Sequence, residues 1–248
     1  MKHLIKIIIL VSLTASPAWG ASPSVAATNT SVGLVSTSHV VALPTGIVAG
    51  QLLMVGLGCN GILTAPSASG WTHLHTFARS ADNTNTISVL YKWAAGSEGS
   101  TVTVTTSGSQ PCGHFSMSIT GAVNPATQAP EASTGATGSA APDSDAVTPT
   151  GGAKDYLFIS VASQDGNSVA TASPTNYLPS SGPFLTVSSG TDNALDAGVF
   201  AAYRQLNASS EDPGVFTSSR GDGTAAFTIA VHPAAATTTT DQSQGQML

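Results

Sequence analysis

One apolar segment, present twice, constrains this chain more than any other feature. Residues 49–61 read AGQLLMVGLGCNG and residues 153–166 read AKDYLFISVASQDG. Each opens on small or polar residues, runs through an apolar stretch too short to persist as an isolated helix, and closes on a polar turn ending in glycine. Both read as buried strands. The stretches downstream of the two copies also correspond, so the expected body is a duplicated β unit.

After the first segment, Pro66 sets a turn and Trp71 opens the next strand; in the second unit Pro174 and Tyr177 play the same parts. The following strand alternates, with Ile87, Val89, Tyr91 and Trp93 on one face and Ser88, Leu90 and Lys92 on the other. Its counterpart carries Val199, Ala201 and Tyr203 on one face, followed by Arg204. Val102 and Val104 alternate with threonines, as Val215 and Thr217 do more weakly. Each unit then closes on one more strand, Phe115, Met117 and Ile119 in the first and Phe227, Ile229 and Val231 in the second. At the start of the first unit, Val32, Leu34, His39, Val41 and Leu43 suggest short strands stopped by Pro44.

Residues 126–152 have the Ala, Thr, Ser, Pro and Gly composition of a linker. Four or five strands per unit leave an apolar face uncovered, so one shared core is expected over two independent domains. The predicted fold is all-β: an antiparallel β-sandwich, jelly-roll-like, built from two pseudo-repeated units. Its boundaries are a signal peptide at 1–20, a lead-in at 21–30, a sandwich at 31–233 with repeats 31–125 and 153–233 joined by 126–152, and a disordered tail at 234–248.

The first twenty residues place Lys2 and Lys6 ahead of an apolar run, with Ala18 and Gly20 at the −3 and −1 positions of a cleavage site. That run is interrupted by Lys6 and falls well short of the roughly 20 residues needed to span a bilayer. A secretory signal cleaved after Gly20 is expected, giving a secreted or cell-surface protein, periplasmic or extracellular, with no membrane span. Losing Lys2 and Lys6 from seven cations leaves five against thirteen acids, a net charge of −8. Only 8% of the residues are charged, against about 25% in an average soluble domain. Five scattered cations cannot neutralise a phosphate backbone, which argues against a nucleic-acid partner.

The sequence Ala49-Gly50-Gln51-Leu52-Leu53, followed by Pro66, Gly70-Trp71-Thr72, Tyr91-Lys92-Trp93-Ala94 and Ile119-Thr120-Gly121-Ala122, resembles the jelly-roll-like β-sandwich domains of bacterial secreted proteins and phage surface or tail proteins. The resemblance covers about residues 30–233. It departs at Gln51, where an acid is usual, and Asp155 restores the acid in the second unit. These motifs are structural, so the resemblance implies a fold and no catalytic residue.

Cys59 and Cys112 are the only cysteines, and in an exported chain a disulfide is the expected pairing. Register supports it, because setting Cys59 opposite Cys112 brings Leu52 to within one residue of Thr120 at the far end of an antiparallel pair. His73 and His75 flank Leu74 on an expected strand, which would aim both rings at one face, a spacing suited to copper or zinc. Two ligands do not close a site, and Asp82 and His114 are the nearest third candidates, so polar surface histidines and no bound metal are expected. Asp143-Ser144-Asp145 lacks the glycine and distal glutamate of a calcium loop.

The chain carries no G-x-S-x-G elbow, no H-E-x-x-H and no P-loop. Carboxylate pairs from Asp82, Glu98, Asp165, Asp192 or Asp196 are the only hydrolytic option, and no cofactor is expected. Arg220-Gly221-Asp222 matches an integrin-binding tripeptide, for which chance in a Gly-rich hairpin suffices. Tyr91 and Trp93 share the face of Ile87 and Val89, which points to the core, while Trp71 is open to a sugar-stacking role. Turns at one end of the sandwich are the expected recognition surface: Asn60, His73, His75, Asp82, Asn83, Asp165, Asn167 and Tyr177. The expected function is a non-catalytic surface, adhesive or glycan-binding module whose partner is a glycan or a cell-surface or virion protein. The alternatives are a virion-type decoration protein acting by protein contacts and a polysaccharide-active enzyme.

Overall fold

The computed structural model describes residues 22–82, 84–138, 141–166, 169–179, 185–188 and 196–235. The expected signal peptide and most of the expected tail lie outside the described residues, as do Asn83, Asn167 and Asp192. The described chain is all-β, and every strand ladder in it is antiparallel. No helix among the described residues is long and apolar enough to cross a membrane.

The strands, in chain order, are β1 (Ser24–Ala42), β2 (Leu52–Asn60), β3 (Thr72–Arg79), β4 (Asn85–Trp93) and β5 (Thr101–Thr120). Three short pieces come next: β6 (Glu131–Ala132), β7 (Ala136–Gly138) and β8 (Asp143–Ser144). The rest are β9 (Lys154–Asp165), β10 (Ala170–Ala172), β11 (Leu185–Ser188), β12 (Ala197–Ala208), β13 (Gly214–Val215), β14 (Thr217–Ser218) and β15 (Thr224–Val231). The first large sheet has the order β1-β5-β2-β4-β3. The second has the order β11-β12-β9-β15-β6, with β7 also on β15.

The two apolar segments of the sequence become β2 and β9, the central strand of each sheet. Both are buried along nearly their whole length, on both faces. This explains why they read as continuous apolar runs rather than alternating ones. On one side, Leu52, Met54, Ile87, Val89, Phe115, Met117 and Ile119 of the first sheet share a single apolar cluster with Leu157, Ile159, Val161, Val199, Ala201, Phe227, Ile229 and Val231 of the second. The sheets approach closely where β2 meets β12. A Cβ on Gly58 would lie 2.8 Å from Val199 Cβ and 2.9 Å from the Gly198 carbonyl oxygen, so only glycine fits there.

The other faces are covered differently. Val55, Leu57, Leu63 and Leu90 pack with Val41, Leu43 and Val104, because β1 and β5 form one long ribbon that doubles over its own sheet. Residues 24–33 of β1 pair with 112–120 of β5, and residues 38–42 pair with 101–105, with register shifts between Gly33 and Ser38. The fold-back is pinned where the Ala42 amide donates to Ser31 Oγ, Ser116 Oγ donates to the Ala42 carbonyl and Asn29 Nδ2 donates to the Leu43 carbonyl. Over the second sheet, Tyr156, Phe158, Phe200, Ala202 and Ala230 pack with Val147, Ala170, Tyr177 and Phe216 from connecting segments.

Two expectations need correction. The lead-in, expected to be loose through residue 30, is strand from Ser24 onward. Its small polar residues hold no periodic apolar signal, but the ladder to β5 supplies the hydrogen bonds that order it. The linker-like stretch 126–152 contains β6, β7 and β8 and is held by Asp145, whose carboxylate accepts from Ser133 Oγ, Thr134 Oγ1 and the Gly135 amide. Those donors satisfy the carboxylate as an internal anchor rather than as a calcium ligand.

Candidate functional site

The Cys59–Cys112 disulfide is present, with Cα atoms 4.1 Å apart. The two residues are direct cross-strand partners on β2 and β5, and Leu52 pairs with Ile119. The expected register therefore holds to within one residue.

An open surface with ligand-like chemistry lies at the opposite end of the first sheet from that disulfide, where Leu52 pairs with Trp93 and Thr72 with Tyr91. Two adjoining furrows share Lys92. One, of about 400 Å³, is lined by Thr72, Tyr91, Trp93 and Asn124 among others; the second, of about 290 Å³, is lined by Trp71, Glu98 and Thr101. Tyr91 and Trp93 pack against the shared core cluster, as their alternation predicts, yet both stay partly exposed. Trp71 rests similarly against the cluster beneath the ribbon. Glu98 is fixed at the rim by the Ala95 and Gly96 amides at 2.6 and 3.0 Å and by Lys92 Nζ at 3.4 Å. Burial pushes its carboxyl up, but those amides and Lys92 outweigh burial and hold it below the usual carboxylate range. Ring faces flanked by an amide, a hydroxyl and a fixed ion pair can stack on and hydrogen-bond a polar ring such as a sugar.

The loop-end residues expected to form one surface separate. Asn60 and Asp165 do meet, since Asn60 Nδ2 donates to Asp165 Oδ1 and to the Asp196 carbonyl, both at 3.3 Å. Burial, and then Asp222, raise the Asp165 carboxyl. Asp82 is exposed at the same end, where its carbonyl accepts from Arg79 Nε. Tyr177 is not at a surface. It is fully buried and donates to Glu211 Oε1 at 3.0 Å, with Arg204 over its ring and ion-paired to Glu211 at 2.7 Å. It anchors the cover of the second sheet.

His73 and His75 do not share a face. A register shift between them pairs His73 with Leu90 and His75 with Val89, on opposite sides of β4. His73 Nε2 meets Thr76 Oγ1 at 2.8 Å on the outer face, whereas the His75 ring packs edge-on to Phe227 at 4.9 Å. Strict alternation fails here because a bulge adds one residue to β3. Arg220 and Asp222 pair with each other at 2.8 Å, so the tripeptide's charges are turned on themselves.

Sequence reasoning passed over a second group, the buried trio His39, Cys112 and His114, which present one ligand-type atom each within 4.8 Å of one another. Part of it was readable, since Cys112-Gly113-His114 on a strand puts residues 112 and 114 on one face. His39 joins them only because the ribbon doubles back. Burial, and then His39, push the His114 imidazole down to about 3. Burial also lowers His39, with the Ser36 backbone partly opposing it.

No family model matches the chain, and neither the curated proteins nor the solved structures contain a match.

Proposed function

We propose that this protein is an exported, non-catalytic β-sandwich of two related units that binds glycans through the furrows around Trp71, Tyr91 and Trp93. The observation that carries this reading is three partly exposed aromatic rings along two open furrows, bordered by Thr72, Asn124 and the Lys92–Glu98 pair. The sandwich and its duplication are supported by the matching strand orders. β5-β2-β4 in the first sheet has the same neighbours, in the same chain sequence, as β15-β9-β12 in the second. The apolar cluster drawing on both sheets supports one shared core. The Cys59–Cys112 bond suits an oxidising compartment, as expected outside the cytoplasm.

The test is a glycan array on the secreted chain, followed by Trp71→Ala and Trp93→Ala on any hit. Loss of one stacking ring should weaken binding about 2-fold to 10-fold, on the scale of aromatic contacts. An array without hits, or a hit indifferent to both substitutions, removes the glycan reading. A second reading, a decoration protein acting by protein contacts, is favoured by the edge strand β1, which exposes Val32, Leu34, Val35 and Val40. Size-exclusion chromatography and electron microscopy would then show assembly that Leu34→Lys abolishes.

A further inference from the structure

We propose that His39, His114 and Cys112 form a buried site for a thiophilic closed-shell metal ion, zinc(II) in type, that is loaded when the Cys59–Cys112 disulfide is reduced. The trio sits inside the fold of the β1–β5 ribbon. The exposures of His39, Cys112 and His114 are 1%, 0% and 0%. Cys112 Sγ lies 3.6 Å from His39 Nε2, and the two imidazole centroids are 5.4 Å apart. His114 Nδ1 contacts Ser31 Oγ at 3.1 Å, and a hydrogen bond of this kind at the far ring nitrogen is what orients a ligating histidine.

Two further observations point to a ligand. His114 Nε2 is enclosed and has no hydrogen-bond partner among the described residues, and enclosed His39 Nδ1 has none of normal geometry, the Ser36 backbone making only a weak contact with that ring. Buried polar atoms left in this way are costly in a fold that has no use for them. On His39 it is Nε2 that faces the sulfur, with Thr106 Oγ1 at 3.3 Å, while Nδ1 and His114 Nε2 both lie toward Gly33, where a Cβ would be 2.4 Å and 3.2 Å from them. Glycine therefore keeps the space between the rings clear. Burial holds both imidazoles neutral, the form that ligates.

A disulfide sulfur is a poor donor, and a thiolate beside two imidazoles is a characteristic zinc donor set. Exchange with two small-molecule thiols transfers two electrons to the Cys59–Cys112 bond and two protons to its sulfurs, while the small thiols become a disulfide. The ion then displaces the Cys112 thiol proton to solvent and binds sulfur. The Cys59 sulfur is left adjacent, available as a fourth donor. Disulfide and metal are thus alternative occupants of Cys112 Sγ.

The test uses the full chain and two variants that both abolish the disulfide, Cys59→Ala and Cys112→Ala. Cobalt(II) serves as the spectroscopic probe and zinc(II) as its competitor, titrated anaerobically without reductant. Cys59→Ala should bind one equivalent with thiolate-to-cobalt charge-transfer absorption that zinc removes, and Cys112→Ala should bind at least 10-fold more weakly. Equal binding by the two, or none by Cys59→Ala, overturns the proposal. If both variants lose their β-sheet circular dichroism, the reduced wild-type chain decides. One equivalent of zinc protecting its thiols from alkylation supports the site, and no protection overturns it.

Discussion

The two sheets carry the same order of central strands and differ in how their outer faces are covered. The first is covered by its own ribbon, folded back at Gly33–Ser38, with an apolar layer, a disulfide and two neutral histidines beneath it. The second is covered by connecting segments from remote parts of the chain, held by Tyr177, Glu211 and Arg204. A doubled ribbon brings its own hydrogen-bonded partner and needs only small residues and one crosslink. The connecting segments carry only short ladders, β10 with β14 and β8 with β13, so their closure leans on a polar anchor whose partners all have to be present.

Breaking each anchor tests this contrast. The largest effect is expected from Cys59→Ala, since the disulfide joins residues 53 apart and constrains the unfolded chain by about 3–4 kcal/mol. Denaturant titration should show it, with the m-value rising as the uncrosslinked unfolded chain exposes more surface, and a loss below about 1 kcal/mol would mean that the ribbon is held by packing alone. Glu211→Ala leaves Arg204 and the Tyr177 hydroxyl without their acceptor, at a cost of about 3 kcal/mol, the low end for breaking a buried pair. Because Glu211 ties Tyr177 to Arg204 of β12, hydrogen exchange should rise first at residues 169–179 and leave β1 and β5 protected.

Gly58→Ala should cost about 1–3 kcal/mol by forcing β2 and β12 apart. This loss should fall on both covers together, because it acts on the layer the sheets share. The histidines give the first cover a pH dependence. His114 falls from 6.5 in the unfolded chain to about 3 in the fold, so the unfolded state binds the extra proton between those values. Its stabilising contribution is whole above pH 6.5 and declines as pH drops toward 3, by up to about 1.4 kcal/mol per pH unit. His114→Gln should flatten that slope between pH 6 and 4, whatever it does to stability at pH 7. The smallest effect is expected from Arg220→Ala, within about 0.5 kcal/mol, since its pair with Asp222 is open to solvent.

By itself, the sequence determined the central strands, the faces of β4 and the disulfide partner. Burial on both faces requires the unbroken apolar runs of β2 and β9, and the alternation from Ile87 to Trp93 separates the face of β4 on the shared core from the Ser88 and Leu90 face beneath the ribbon, so both patterns are local consequences of layering. Cys59 and Cys112 follow from register, because antiparallel pairing fixes every partner once one is set. Tertiary structure alone decided the rest. The Leu74 bulge turned His73 and His75 to opposite faces, the fold-back brought His39 to His114, and Glu211 drew Tyr177 inward. None of these has a period or a neighbouring partner in the chain. Each depends on contacts between residues tens of positions apart, whose energy exists only after the sheets have assembled.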